Sequence, residues 1–179
     1  MLNKKILITG GAGFIGINSA LYLSKKHNVT IVDDLSKKGS KTNLKVLDTN
    51  VKFINCSILD NEFISLIKEQ QFDVILHLAA QTAVTTSVTD PEIDFKINAY
   101  GTFKLLDAIR KFSSHTHVIY ASTNKVYGNL SKIELNETSK RYDFSKNTTG
   151  INELVNLDFY SPYGCSKGSA DQYIFDLLK

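Results

Sequence analysis

Short apolar runs alternate along the chain with stretches of helical spacing. Ile6, Leu7 and Ile8 form the first run and predict a buried strand over residues 4–9, stopped by glycine. Phe14, Ile17, Ala20, Leu21 and Leu23 then share one helical face, with the helix running to about residue 26. Val29, Ile31 and Val32 predict a second strand over 29–34, followed by a polar loop over 35–40 and a short helix over 43–47. A third strand is expected over 51–55, and a helix over 60–69 with Phe63, Ile64, Leu66 and Ile67 on one side. A fourth strand over 73–78 ends in the small residues Ala79 and Ala80. Residues 82–89 are rich in hydroxyls. Pro91 suits the first turn of a helix that reaches about residue 112. A fifth strand over 116–121 leads to Ser122 and Thr123, and a last helix begins near Pro162 and runs to residue 179. Residues 130–157 are polar and aperiodic, and so long a stretch is expected to be a lid or binding loop covering about 130–160. Strands that alternate with helices in this way call for an α/β fold: a doubly wound parallel sheet with helices on both faces.

Chemistry enters at the first strand–helix junction. Gly11, Gly13 and Gly16 fit a G-x-G-x-x-G spacing, while Gly10, Gly13 and Gly16 fit G-x-x-G-x-x-G. Between a strand and a helix, such glycines turn the chain, let the backbone approach a pyrophosphate, and let helix and strand pack closely. The helix N-terminus adds free N–H groups and a positive dipole. Asp33, at the end of the second strand, is placed to hold a ribose hydroxyl. The sheet is therefore expected to be Rossmann-like and to bind a dinucleotide. Lys37 and Lys38 suit a 2′-phosphate, but the carboxylate of Asp33 would repel it, so NAD is expected rather than NADP. The small residues Ala79 and Ala80 would let a cofactor lie against the backbone at the end of the fourth strand. The hydroxyls of 82–89 stand at the C-terminal side of the sheet, where ligands bind in such folds.

Composition narrows the class. The chain has 179 residues, 42% of them hydrophobic, enough for one globular domain. Its formal charge of +3 is scattered, with no basic block interleaved with aromatics, so nucleic-acid binding has no support. Cys56 and Cys165 make neither a disulfide framework nor a metal spacing, and the histidines at 27, 77, 115 and 117 form no ligand set. No metal site is expected. No apolar run approaches membrane-spanning length and no signal peptide is apparent, so a cytoplasmic location and no membrane partner are expected.

A second constellation lies near the end of the chain. Tyr163 and Lys167 are spaced i and i+4 on the last helix and share a face. The ammonium, together with a cationic nicotinamide, favours the phenolate. Tyr163 is thus a candidate base, Lys167 its electrostatic partner and ribose anchor, and Thr123 a donor to the same substrate hydroxyl.

Taken together, residues 9–16, Val32-Asp33-Asp34, 78–81, Ile97-Asn98-Ala99-Tyr100-Gly101-Thr102, 122–128 and 163–167 resemble the extended short-chain dehydrogenase/reductases, the NAD-dependent epimerase/dehydratase family. Stretches 81–87, 122–128, 136–138 with 141–142, and 157–168 are similar to its CDP-paratose 2-epimerase (CDP-tyvelose epimerase) branch. The resemblance implies tightly held NAD, with Gly10, Gly13, Phe14, Ile15, Gly16, Asp33, Ser57, Ile58, Leu78, Ala79, Ala80, Asn98, Tyr163 and Lys167 around it. It implies Thr123, Tyr163 and Lys167 as catalytic residues, and Gln81, Thr85, Thr86, Ser87, Thr123 and Asn124 around a nucleotide-sugar substrate. The implied reaction removes hydrogen from sugar C2 to give a 2-keto intermediate and returns it to the other face. It also implies a homo-oligomer and a place in lipopolysaccharide O-antigen synthesis.

Sugar 4,6-dehydratases carry an acid and a base where this chain has Asn124 and Lys125, which suit elimination poorly. A 4-epimerase remains open on the Thr–Tyr–Lys set alone. Two departures matter. Cys56-Ser57 stands where the family has Gly-Asp, so Ser57 replaces an acid at the adenine amine. The family also continues for about as long again. The chain is therefore expected to be an N-terminal half, an NAD-binding unit over 1–179 truncated before the substrate domain. An inactive fragment, or a half completed by a separate chain, is the alternative.

Overall fold

The computed structural model describes residues 3–131, 133–145 and 150–177. Parts of the expected polar lid (Lys132 and 146–149) and the last two positions of the helix expected to run to 179 lie outside the described residues.

The first apolar run is β1 (Lys5–Thr9), followed by α1 (Phe14–Leu23) and β2 (Asn28–Asp33). Next come a short α2 (Ser40–Asn43) continued by a 3₁₀ turn at Leu44–Val46, then β3 (Lys52–Asn55), α3 (Asn61–Gln70) and β4 (Val74–His77). The short helix thus begins at Ser40, three residues earlier than its apolar residues suggest, just after Gly39, whose φ of 96° is a left-handed turn. The strands form one sheet in the order β3-β2-β1-β4-β5, with β5 at His117–Tyr120, and every pairing is parallel. The chain lays β1, β2 and β3 outward, then crosses back to place β4 on the other side of β1. The C-terminal ends of β1 and β4, where Thr9 pairs with His77, border the switch point at which such sheets bind ligands.

Successive residues of a strand point to opposite faces, so the run Ile6-Leu7-Ile8 serves two cores. Leu7 joins Phe63, Ile67, Ile75, Leu105 and Ile109 beneath α3 and α6 (Thr102–Phe112). Ile6 and Ile8 join Ile17, Ala20, Val29 and Ile31 beneath α1. On this second face the far edge is thinly covered, and Ile119 of β5 is 57% exposed.

The hydroxyl-rich stretch contains a helix, α4 (Val84–Thr89). Its hydroxyls turn back on their own helix: Ser87 Oγ donates to the Val84 carbonyl at 2.7 Å and Thr89 Oγ1 to the Thr86 carbonyl at 3.1 Å. Asp90 then caps α5 (Pro91–Asp94), accepting from the Ile93 N–H at 3.0 Å, with proline in the first turn. The helix expected over 91–112 is present but not uniform: Phe95–Gly101 is a π-helical stretch between α5 and α6. The polar stretch holds a small antiparallel hairpin, β6 (Leu135–Glu137) with β7 (Tyr142–Phe144). The last helix, α7 (Pro162–Leu177), packs on α6 and the π-helical stretch. Among the described residues, no helix is long and apolar enough to cross a membrane.

Candidate active site

The glycine loop is built by close approach. Gly10 has φ of 66°, and a Cβ there would stand 2.8 Å from the Ala79 nitrogen. A Cβ on Gly16 would stand 2.4 Å from the Gly10 carbonyl oxygen. The loop closes with the Gly13 N–H donating to the Gly10 carbonyl at 3.0 Å, and the Gly11 N–H to the Val32 carbonyl at 3.1 Å. Asp33 holds it as well: its carboxylate accepts from the Ala12 N–H at 3.1 Å and from the Leu35 N–H at 2.9 Å. Burial raises the Asp33 carboxyl above its ordinary value, against the pull of those two hydrogen bonds.

Beside this loop opens a cleft lined by Gly10, Gly13, Asp33, Ser57, Ile58, Leu78, Ala79 and Ala80, so eight of the residues expected around a cofactor share one concavity. Phe14 and Ile15 are exposed at the start of α1 next to it. Cys56, Ile97, Lys37 and Thr82 also line it. Lys37 Nζ donates to Thr82 Oγ1 at 3.1 Å, a bridge between the loops that follow β2 and β4. Burial, with Glu62 and Asp60 nearby, pushes the Cys56 thiol up to about 11, so it stays protonated. Ser57 Oγ accepts from the Leu59 N–H at 3.2 Å and shapes its own turn. The residues fit a dinucleotide: a glycine loop with room only for backbone, a helix N-terminus, and small residues opposite.

Three expected ligand contacts turn inward. Asn98, carried by the π-helical stretch, brackets the backbone of Gln81: its Oδ1 accepts from the Gln81 N–H at 2.9 Å and its Nδ2 donates to the Gln81 carbonyl at 3.0 Å. The Gln81 side chain donates to the Ala83 carbonyl and to Asp94 Oδ1, while its Oε1 accepts from the Ala83 N–H. Ser87 is buried, with its hydroxyl on Val84. In this arrangement these groups build the loop after β4 and do not face the cleft. Thr85 and Thr86 stand exposed on α4.

Helix α7 brings the second constellation to this end of the sheet. Thr123 caps a 3₁₀ turn at Asn124–Tyr127, its Oγ1 accepting from the Lys125 N–H at 3.2 Å. A Cβ on Gly164 would stand 2.8 Å from the Lys125 carbonyl oxygen. The glycine between Tyr163 and Cys165 thus lets the first turn of α7 sit directly on the turn that Thr123 starts. Asn124 and Lys125 are exposed. Tyr163 is half-buried, and Lys167, one turn on, is only 3% exposed. Burial lowers the Lys167 ammonium to about 8, opposed by the carboxylates of Asp171 and Asp94.

Beneath lies a buried polar chain that the sequence did not reveal. Asp94, fully buried, accepts from Ser166 Oγ, from Asn98 Nδ2 at 3.1 Å and from Gln81 Nε2 at 3.0 Å. Thr102 Oγ1 donates to the Asn98 carbonyl and meets His77 Nε2 at 3.0 Å; His77 Nδ1 meets Thr9 Oγ1 at 2.7 Å. A serine one residue before Lys167 and an acid four before Asn98 were the only signals for this chain in the sequence.

His77 is held near 3, first by burial and then by the Lys167 charge, against an ordinary imidazole value of 6.5. Between those values the unfolded chain binds a proton that the folded chain refuses. This contribution is fully present above 6.5 and declines as pH falls toward 3, by up to about 1.4 kcal/mol per unit. Urea midpoints measured from about pH 7 down to about pH 5 are expected to fall more steeply for the native chain than for His77→Gln. Parallel slopes would refute the assignment.

The comparisons with known proteins agree with this geometry. The family described as GDP-mannose 4,6 dehydratase matches residues 7–177. CDP-paratose 2-epimerase of Salmonella typhi is 46% identical over 98% of this chain and 53% of that protein. The UDP-Glc/GlcNAc 4-epimerase of Campylobacter jejuni superposes with a TM-score of 0.82 at 28% identity, over 98% of this chain and 49% of that one. The Thermus thermophilus UDP-glucose 4-epimerase in complex with NAD gives a TM-score of 0.74 at 28% identity, over 96% of this chain and 50% of that one. The chain thus spans about half the length of these relatives.

Proposed function

Because the chain belongs to the GDP-mannose 4,6 dehydratase family, which takes in nucleotide-sugar epimerases and dehydratases, we propose that it binds NAD and serves the C2 epimerisation of CDP-paratose to CDP-tyvelose. What carries the reading is the seat of α7. Gly164 sets the Tyr163 turn on the Thr123 turn, and Lys167 lies buried one turn on. The sugar and its base are inferred from the 46% identity to the Salmonella typhi 2-epimerase.

In this reading the pyrophosphate lies against the Gly10–Gly16 loop, the adenosine in the cleft beside Asp33, Ser57 and Ile58, and Leu78, Ala79 and Ala80 border the path onward. When bound, NAD supplies reversible removal of hydrogen from the sugar carbon. Tyr163 takes the proton of the C2 hydroxyl and returns it after the 2-keto sugar has turned over. Lys167 supplies the positive charge that favours Tyr163 as the phenolate that accepts this proton. Thr123 Oγ1, already accepting from Lys125, has its proton free to donate to the same hydroxyl. Thr85, Thr86 and Asn124, exposed at the same end of the sheet, are available to the sugar. An exposed amide and ammonium at Asn124 and Lys125 favour epimerisation over elimination of water.

Residues 1–179 form the NAD-binding unit in this proposal, with 130–160 as a lid, and the rest of the sugar-nucleotide pocket is contributed from outside them. The exposed Ile119 face on the outer strand β5 supports that division. NAD titration by calorimetry, then incubation with CDP-paratose and NAD with CDP-tyvelose as the readout, tests the proposal. Binding with turnover supports it entire. Binding without turnover supports a cofactor-binding half. Absence of NAD binding removes the reading.

A further inference from the structure

Tyr120 closes β5, and nothing in the reaction above uses it. His77, its pairing partner on β4, stacks against its ring with centroids 5.7 Å apart and planes at 23°. Both nitrogens of His77 are engaged, by Thr9 and Thr102, so the imidazole is fixed and in turn fixes the phenol. The Tyr120 hydroxyl donates to the Lys167 carbonyl at 3.4 Å. The Lys167 ammonium stands 4.0 Å from the centroid of that same ring. The backbone of α7 does not by itself decide where a flexible four-carbon side chain ends. The carboxylates that act on Lys167 are Asp171, on α7, and Asp94, on α5, whose oxygens already accept from Ser166, Asn98 and Gln81. Buried His77 is neutral, and burial raises the Tyr120 phenol far above its ordinary value, so neither ring competes as a charge. Tyr163 is the other ionisable group on this face of α7.

We infer that Tyr120 is a positioning residue: the face of its ring holds the Lys167 ammonium in place, one helical turn from Tyr163, and stabilises its charge in a nearly dry pocket. A cation over an aromatic face is favoured by the ring quadrupole, most strongly where water is excluded. The inference rests on the role given to Tyr163 and Lys167 above, but its test reads the state of Lys167 directly and needs no turnover.

Lysine labelled with carbon-13 at Cε reports each ammonium by NMR, and Lys167→Arg identifies the resonance. Lys167 is expected to titrate near 8, apart from the surface lysines. Tyr120→Phe keeps the ring face and should keep that midpoint within about 0.3 units. Phenylalanines of increasing fluorination at 120 keep the shape but drain the negative face. The midpoint should then step downward, by about one unit in all. Tyr120→Leu should show the largest drop. Because the fluorinated series preserves packing, it remains decisive if the leucine variant does not fold. A midpoint that stays constant or rises through the series makes Tyr120 a packing residue only and overturns the inference. If the midpoint steps down while no NAD-dependent turnover is found in any length of polypeptide, the positioning role stands and the catalytic reading falls.

Discussion

Tyr163→Phe is expected to lower NAD-dependent turnover of CDP-paratose by about two to four orders of magnitude, while NAD affinity stays within a few-fold. The substitution removes one hydroxyl and keeps the ring, so the first turn of α7 should still seat Gly164 on the Lys125 carbonyl. What is lost is the proton acceptor for the sugar hydroxyl, which nothing nearby replaces in kind: Thr123 is a donor to substrate in this reading, and Lys167 is a buried cation over Tyr120. The measurement is kcat for epimerisation beside the NAD dissociation constant, in whichever length of polypeptide turns the sugar over. Equal rates for the two forms would end the proposed mechanism. A parallel loss of NAD binding would instead show that the phenol mainly shapes the cofactor site.

Asp94→Ala should be the most damaging single change for stability among the site's supports. The carboxylate is fully buried and accepts from Ser166, Asn98 and Gln81. Removing it leaves those donors without a partner, at about 1–3 kcal/mol for each group that cannot relax to water. A total of about 3–5 kcal/mol would lower the melting temperature by roughly 6–20 °C for a chain of this size. Asp94→Asn, which retains an acceptor oxygen, should lose less. The consequence reaches the candidate site, because Asp94 ties α5 to α7 through Ser166, the residue before Lys167. Equal melting temperatures for the native and alanine forms would show that the chain of bonds is not a support.

Much of the frame was legible in the order of residues, for a definite reason. Strands buried on both faces of a parallel sheet are apolar at nearly every position, so the runs at 6–8 and 74–76, and Val29, Ile31 and Val32 around a lone threonine, announced themselves. The glycine loop was legible because only glycine fits where Gly10 and Gly16 approach other backbone. Local pattern was silent where side-chain hydroxyls took over. In α4, a helix forms over a stretch with no apolar period, and Ser87 and Thr89 bond back to its own carbonyls. The hairpin of β6 and β7 was equally hidden, because its residues are mostly exposed and leave no alternation to read.

The residues that differ most from expectation are those whose direction depends on distant partners. Asn98 and Gln81 have the chemistry of ligand contacts, yet a π-helical stretch turns one onto the other and both onto Asp94. Asp33 was expected at a ribose, and its carboxylate clamps the glycine loop through Ala12. His77 was noted only as one of four histidines that form no ligand set, and nothing in the sequence singled out Tyr120. Residue order alone dictated the parallel sheet, the glycine loop after β1 and the Tyr163–Lys167 spacing, because each follows from local periodicity or from steric demand at a few positions. What surrounds Lys167, and what holds Asn98 and Gln81, was settled by the packed fold. Those contacts join β1, β4, β5, α5, α6 and α7, and no local pattern records which long-range partner a polar side chain meets.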